Sequence, residues 1–258
     1  MKVLGLIMVR NGERELKRCL DSMAVYCDEF YVLNDRSVDG TLAILRDHPK
    51  VTNVFSVDPA ISDQDWFFSE SLNLNFLYRM ADFSVPDWII RLDHDEIFDR
   101  PEEIRGILAS CGREVTGINV SRRSVWNDPD YPLMVPLMSP AATLQGTIWR
   151  YSPGLTAGTK RLHNKRLPSC VDNLGKVLTL DHVVMYHYGW DTLSKRIAKV
   201  EQYTKLDPDG IYNFGVPYDR GLLFGYEIGA IDDLISDYQK RMETYHEAAQ
   251  RAQSVASV

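Results

Sequence analysis

Short apolar runs alternate with helical patterns through the first hundred residues, and this rhythm leaves few folds open. The runs VLGLIMV, EFYVLND, TNVFSV and DWIIRLD are short and largely continuous, which is typical of strands buried on both faces. The segments that separate them place apolar residues at helical spacing, and a further helix is predicted to open at Pro101. Strands and helices in this alternation predict an α/β fold with a mostly parallel sheet flanked by helices.

The pattern changes from about Thr116. The segments GINVSRRSVW, GTIWRYS and LDHVVMYHYGW predict strands of mixed or antiparallel direction, separated by loops rich in proline and glycine. Helices are predicted from Thr192 to about residue 206 and from Tyr226 to about residue 252. Because no repeat or low-complexity linker divides the 258 residues, we expect one domain with two functional halves, residues 1–115 and 116–258.

Polar clusters follow three of the four early strands directly. They are RNGE at residues 10–13, NDRS at residues 34–37 and DHDE at residues 93–96. Ligands bind at the carboxyl ends of parallel strands, so we expect the three clusters to converge on one edge of the sheet. The DHDE cluster needs a compensating cation or proton if it is desolvated, because carboxylates this close repel each other. A solvated loop that caps the next helix is the alternative.

The residue types in these clusters indicate metal and nucleotide chemistry. Asp93 and Asp95 could bind Mg²⁺ or Mn²⁺, which take carboxylate oxygens and keep positions open for substrate phosphates. His187 would complete a mixed oxygen and nitrogen shell that favours Mn²⁺, and a satisfied core histidine is the alternative. Asp35 is suited to accept hydrogen bonds from a uracil N3–H or from sugar hydroxyls, unless it only shapes a turn. The basic run TKRLHNKR at residues 159–166 is either solvated or in contact with phosphates.

Several other functions are disfavoured by what the sequence lacks. RNGERE has one glycine, so it fits neither a dinucleotide-binding loop nor a Walker loop. The net charge of −7 argues against broad nonspecific binding of nucleic acid. The four cysteines have irregular spacing, which argues against a zinc knuckle or a disulfide framework. The longest apolar runs are too short to span a bilayer, so we expect a cytoplasmic protein, with peripheral attachment to the inner membrane as the alternative.

The three clusters, in this order and at this spacing, resemble family 2 glycosyltransferases with the GT-A fold. VLNDRSVDGT is similar to the family pattern vvDdgStDgT, and WIIRLDHDE is similar to wilrlDaDE, which carries the DxD pair of acids. The later segment HYGWDTLSKRIAKVEQY, with His187, Lys199 and Tyr203, looks like a bacterial branch of the family. The resemblance covers the first hundred residues and about twenty-five residues near position 190.

The resemblance implies a metal-dependent glycosyltransferase. Such an enzyme moves a sugar from a nucleoside-diphosphate sugar, a UDP-sugar in the first instance, to an acceptor hydroxyl, with inversion. A glycan, a lipid-linked sugar, a protein or a modified nucleic acid all stay open as acceptors. An inactive nucleotide-sugar-binding protein is one rival. A nucleotidyltransferase is the other, although it would carry a glycine-rich loop and a lysine after the first strand.

The resemblance also implies roles for particular residues. Asp35 would contact the base of the donor, and Asp93 would face the ribose and the metal. Asp95 would ligate the Mn²⁺ or Mg²⁺ that bridges the diphosphate. His187 would be a further ligand of the metal or the diphosphate. Three residues after the first strand would lie beside the same nucleotide: Arg10, Asn11 and Glu13.

Two departures from the family pattern affect the catalytic base and the donor. The family's base lies in an ED pair, which is missing between Thr116 and Trp190. Of the aspartates in that span, Asp181 is favoured by its distance from the DHDE cluster in the sequence, and Asp128, Asp130 and Asp172 stay open. Arg36 stands where the family more often has a second acid, so it either alters base recognition or pairs with its neighbour Asp35.

Overall fold

The computed structural model describes residues 1–58, 60, 63–125, 144–157, 166–168 and 171–189, and the single positions 191, 192, 195, 198, 199, 201 and 204. Its strands, in chain order, are β1 Val3–Val9, β2 Glu29–Asp35, β3 Val51–Val57, β4 Trp88–Asp93, β5 Glu96–Phe98, β6 Val115–Ser124, β7 Leu144–Arg150 and β8 Lys176–His187. Its helices are α1 Leu16–Met23, α2 Thr41–Asp47, α3 Asp63–Ser84, α4 Pro101–Ser110 and α5 Val171–Leu174.

The strands form one mixed sheet in the order β3-β2-β1-β4-β7-β6-β8-β5. Strand β1 pairs in parallel with β2 and β4, and β2 pairs in parallel with β3, which confirms the parallel half of the prediction. Strand β7 runs antiparallel to both β4 and β6. The mixed direction expected after Thr116 is therefore also confirmed, and both halves of the chain build the same sheet.

The continuous apolar sequence of β1 follows from helices on both faces of the sheet. Val3 and Ile7 belong to the core cluster that contains Leu16 and Leu20 of α1. The alternate residues of β1, such as Leu6, belong to the opposite cluster, together with leucines of α3. Because both sets are removed from water, each buried leucine or isoleucine contributes about 1.5–3 kcal/mol. Packing on both faces therefore supports the parallel strands whose carboxyl ends carry the polar clusters.

Helix α1 begins at Leu16, after a turn at residues 13–15. Strand β5 and helix α5 were not predicted, since three or four residues are too few for a periodic pattern. The helix predicted from Tyr226 lies outside the described residues. Within the described part of the chain, none of the helices has the length and apolar character needed to cross a membrane.

Helix α3 ends at a valine with a strained backbone. The Val85 amide donates to the carbonyl of Ala81 at 3.2 Å, and Val85 has a φ of +45°. A left-handed backbone costs an L-residue with a β-branched side chain about 1–2 kcal/mol. The Val85 side chain is 67 % exposed, so little packing offsets this cost.

Val85→Asn should therefore raise the free energy of unfolding by about 1 kcal/mol, because asparagine tolerates the left-handed region. Urea unfolding followed by circular dichroism measures this difference. Val25→Asn is the matched control, since Val25 is also exposed but does not have a positive φ. Equal changes in the two variants would contradict the assignment of strain to Val85.

Candidate active site

The three polar clusters converge at the carboxyl ends of β1, β2 and β4, as predicted. In the strand register Val9 lies beside Asn34 on one side, and Met8 lies beside Asp93 on the other. The loops that follow are in direct contact. A Cβ on Gly12 would lie 2.8 Å from the ring of His94, so only glycine lets the β1 loop approach the DHDE cluster this closely.

The loops after β1 and β2 are joined by hydrogen bonds. The Asn11 side chain accepts a hydrogen bond from the amide of Val38 at 2.9 Å. The Glu13 side chain accepts one from the amide of Gly40 at 3.0 Å. In return, the Glu13 amide donates to the carboxylate of Asp39 at 3.1 Å. Two of the residues expected beside the nucleotide therefore shape the rim of the site by fixing these loops to each other. Arg10 lies half-buried at the end of β1.

Arg36 pairs with Asp35, which resolves one of the alternatives left by the sequence. Both side chains are buried, and the guanidinium donates to the two carboxylate oxygens at 2.7 and 3.2 Å. Arg36 takes a φ of +58° to reach back to its neighbour. Asp35 is thus oriented by Arg36 at the end of β2.

Arginines, rather than a metal ion, compensate two of the acids in the DHDE cluster. Glu96 is fully buried and accepts hydrogen bonds from Arg166 at 2.7 Å and from Arg122 at 3.3 Å. Asp93 accepts from Arg166 at 2.6 Å and from Arg91 at 3.4 Å. Burial alone would raise the pKa of Asp93, but Arg166 and Arg91 hold that pKa well below its usual range. Asp93 is therefore ionised at neutral pH, and both carboxylates lie within a network of guanidinium groups.

Arg166 was not identified from the sequence. It belongs to the basic run at residues 159–166, which predicted either a solvated loop or contacts with phosphates. Its guanidinium is instead buried against Asp93 and Glu96, and its carbonyl accepts a hydrogen bond from the Tyr78 hydroxyl at 2.7 Å. A basic residue this far along the chain carries no local signal that it will neutralise acids at the end of β4.

The third acid, Asp95, lies in a different environment. Its Oδ2 atom is 3.5 Å from Nε2 of His187 and 3.6 Å from Nζ of Lys199. The pairing of β5 with β8 brings these residues together, because Glu96 lies opposite His187 and the Tyr188 amide donates to the Asp95 carbonyl at 2.8 Å. The structure therefore brings Asp95 and His187 together, as a shared metal site requires.

His187 is neutral at pH 7. Burial, reinforced by the charge of Arg122, lowers the pKa of His187 to about 4. One ring nitrogen therefore keeps a lone pair, and the buried Nδ1 atom has no hydrogen-bond partner among the described residues. Burial alone would raise the pKa of Asp95, but His187 and Lys199 hold that pKa well below its usual range. Since His187 is neutral, Lys199 supplies the positive charge beside Asp95.

Gly189 leaves a small space in which Asp95, His187 and Lys199 meet. A Cβ at this position would lie 2.5 Å from Nε2 of His187 and 2.6 Å from Oδ2 of Asp95. The two donor atoms are close enough to bind one cation, given bond lengths of about 2.1 Å. The described residues contain no group of three or more His, Cys, Asp or Glu side chains arranged to hold a metal. The pair therefore fits a cation whose remaining ligands are substrate oxygens or water.

Contacts with α1 hold the segment that follows β8. Lys195 binds Glu15 at 2.5 Å and Asp191 at 2.8 Å, and it also donates to the carbonyl of Tyr188 at 3.0 Å. The guanidinium of Arg18 lies 3.6 Å from the centre of the Tyr188 ring, a cation–π contact. Helix α1 therefore fixes the chain that carries Gly189 and leads to Lys199.

The structure does not bring Asp181 to the acidic cluster. Asp181 is exposed within β8, six residues before His187, which separates the two by as much as roughly 20 Å along the strand. The other favoured candidate for the catalytic base, Asp128, lies outside the described residues.

Arg166→Met should lower the free energy of unfolding by about 3–5 kcal/mol, because it leaves the buried Glu96 and the partly buried Asp93 without their shared counter-ion. Urea unfolding measures the loss, and adding Glu96→Gln to the variant should recover part of it. Arg100→Met is the control, since Arg100 makes exposed ion pairs and should change stability by at most about 1 kcal/mol. Similar losses for Arg166→Met and Arg100→Met would refute a structural role for the buried network.

Comparisons with known proteins bear on the family and the fold of the chain. The chain is 42 % identical over 242 residues to the uncharacterized proteins Rv3786c of Mycobacterium tuberculosis and Mb3815c of Mycobacterium bovis. The alignment covers 94 % of this chain and 60 % of each relative, so the chain spans about three fifths of their length.

Among solved structures, TarS of S. aureus has a TM-score of 0.50 at 15 % identity, covering 83 % of this chain and 42 % of TarS. Glucosyl-3-phosphoglycerate synthase from Mycobacterium tuberculosis has a TM-score of 0.45 at 15 % identity, covering 80 % of each chain. At this identity the likeness to TarS concerns the fold alone, which is the GT-A fold. The family model described as "Glycosyl transferase family 2" matches residues 6–164, which is more than half of the sequence. The chain belongs to glycosyl transferase family 2.

Proposed function

We propose that the chain transfers a sugar from a nucleoside-diphosphate sugar to an acceptor hydroxyl, with a divalent cation held by Asp95 and His187. One observation carries this proposal. Within the described residues, Asp95 is the acid of the DHDE cluster that has no arginine partner, and it faces a neutral histidine across a space that Gly189 keeps open. Family membership supports the reaction type, since family 2 enzymes use nucleotide sugars.

The donor would lie across the carboxyl ends of β1, β2 and β4. Asp35, oriented by Arg36, would accept a hydrogen bond from the base, and uracil N3–H is a suitable donor. Asp93 would contact the ribose through lone pairs that its arginine partners leave open. Bound Mn²⁺ or Mg²⁺ would supply positive charge to the leaving diphosphate. Asp95 and His187 would hold that ion close to β4, at the end of the parallel sheet.

We propose Asp128, in preference to Asp181, as the base that deprotonates the acceptor, which would give inversion by direct displacement. The Val125 amide donates to the carbonyl of His187 at 2.9 Å, so the chain leaves β6 beside the metal ligands. Asp128 follows Val125 by three residues, which limits the separation of their Cα atoms to about 11 Å. The exposed position of Asp181 within β8 argues against a catalytic role for it.

Binding of the donor should raise the melting temperature in the presence of Mn²⁺. UDP, GDP, ADP, CDP and dTDP would be screened by thermal shift with and without Mn²⁺. A ligand at a hundredfold excess over its Kd adds about 2.7 kcal/mol to the stability of the folded state. Asp95→Asn should abolish the metal-dependent part of the shift. Asp47→Asn, at an exposed acid on α2, is the control and should keep it.

The nucleotide screen tests the donor site, and the Asp95→Asn variant tests the metal ligand separately. If none of the five nucleotides stabilises the folded protein with metal present, the glycosyltransferase proposal is wrong. If a nucleotide binds equally well to Asp95→Asn with or without Mn²⁺, the donor site stands and the assignment of Asp95 as a metal ligand fails.

Asp128→Asn should slow transfer by about 10²–10⁴-fold and leave nucleotide binding unchanged, as expected when a general base is removed. Release of the nucleoside diphosphate from the matching nucleotide sugar measures turnover, and the thermal shift measures binding. Asp181→Asn is the matched control and should keep turnover within about twofold of the unsubstituted protein. Slow transfer by Asp181→Asn, together with normal transfer by Asp128→Asn, would identify Asp181 as the base.

A further inference from the structure

Lys199 is close to the position that a metal ion would take between Asp95 and His187. Its Nζ atom is 3.6 Å from Oδ2 of Asp95 and would lie 2.1 Å from a Cβ placed on Gly189. The same Cβ position is within 2.6 Å of Nε2 of His187 and of Oδ2 of Asp95. The ammonium, the carboxylate and the imidazole therefore surround one small space next to Gly189.

Lys199 follows an anchored lysine in the chain. Lys195, four residues earlier, is held by Glu15, which directly precedes α1, and by Asp191, and both residues at 195 and 199 are helical. Residues four apart lie on the same face of a helix, one turn from each other. The anchor at Lys195 therefore directs Lys199 towards Asp95.

The charges of the chain itself already compensate the acidic cluster. Among the described residues, three acids are paired with four cations. A divalent ion that entered this cluster alone would meet an ammonium a few ångströms away, and like charges at that distance repel strongly when they are partly buried. The acids are Asp93, Asp95 and Glu96, and the cations are Arg91, Arg122, Arg166 and Lys199.

We propose that Lys199 is the resident counter-ion of Asp95 and that it makes binding of the metal depend on the donor diphosphate. Without a diphosphate, the ammonium satisfies Asp95 and excludes the divalent ion. When a diphosphate binds, its oxygens replace Asp95 as the ion-pair partner of the ammonium. They also supply the ligands that the Asp95–His187 pair lacks. Lys199 is then a diphosphate-binding residue, and metal and nucleotide strengthen each other's binding by the same factor. The nature of the anion rests on the proposed function, whereas the exclusion of the metal rests on the geometry of the chain alone.

Mn²⁺ titration of the full chain without nucleotide tests the exclusion directly. The six-line electron paramagnetic resonance signal of hydrated Mn²⁺ reports the unbound ion. Lys199→Met keeps the length of the side chain and removes its charge, so it should bind Mn²⁺ about tenfold or more tightly than the unsubstituted protein. Lys176→Met is the matched control, because Lys176 is exposed at the opposite end of β8, and it should leave the affinity unchanged. Lys199→Gln provides a second test if the methionine variant folds poorly.

A repeat of the titration with UDP present measures the coupling. UDP should tighten Mn²⁺ binding to the unsubstituted protein, and this gain should shrink in Lys199→Met. Unchanged or weaker Mn²⁺ affinity in both Lys199 variants would overturn the inference and leave the proposed function intact, since nucleotide binding is read separately by thermal shift. Failure of every nucleotide in that screen would overturn the proposed function. Tighter Mn²⁺ binding by Lys199→Met in that case would still support the exclusion.

Discussion

The buried guanidinium of Arg166 is the interaction on which the organisation of the site depends. It contacts Asp93 at the end of β4 and Glu96 at the start of β5, and so joins two carboxylates that would otherwise repel each other. An ionised carboxylate buried without a partner costs several kcal/mol, so the turn between β4 and β5 could not adopt this conformation without a cation. Because the cation is an arginine of the chain, the turn is fixed before any ligand binds.

Fixing that turn separates the roles of three neighbouring acids. With Asp93 and Glu96 held by arginines, Asp95 is turned towards His187 and Lys199 instead. Strand β5 is short, but its antiparallel pairing with β8 places the backbone of His187 opposite Glu96. The geometry of the candidate metal ligands is therefore a consequence of strand pairing and of an ion-pair network.

The sequence predicted the parts of this arrangement that arise from local pattern. The strands β1, β2 and β4 and the convergence of their polar ends follow from apolar runs and from the geometry of parallel sheets. Compensation of the acids by Arg166 was not predictable, because the partners are separated by some seventy residues and a basic run indicates nothing about its target. Gly189 was missed for a related reason: its importance lies in the space it leaves beside two distant side chains.

The local charge of the site differs from the net charge of the chain. The protein carries a net charge of −7, yet among the described residues the acidic cluster at the end of β4 is paired with one more cation than it has acids. An anionic ligand is repelled by most of an acidic surface and attracted where positive charge is concentrated and partly desolvated. The motif DHDE, read alone, indicates a site for cations. With its arginines and Lys199 included, the same region carries the positive charge that a diphosphate would need, and under our proposal a divalent ion would be most stable there when the diphosphate accompanies it.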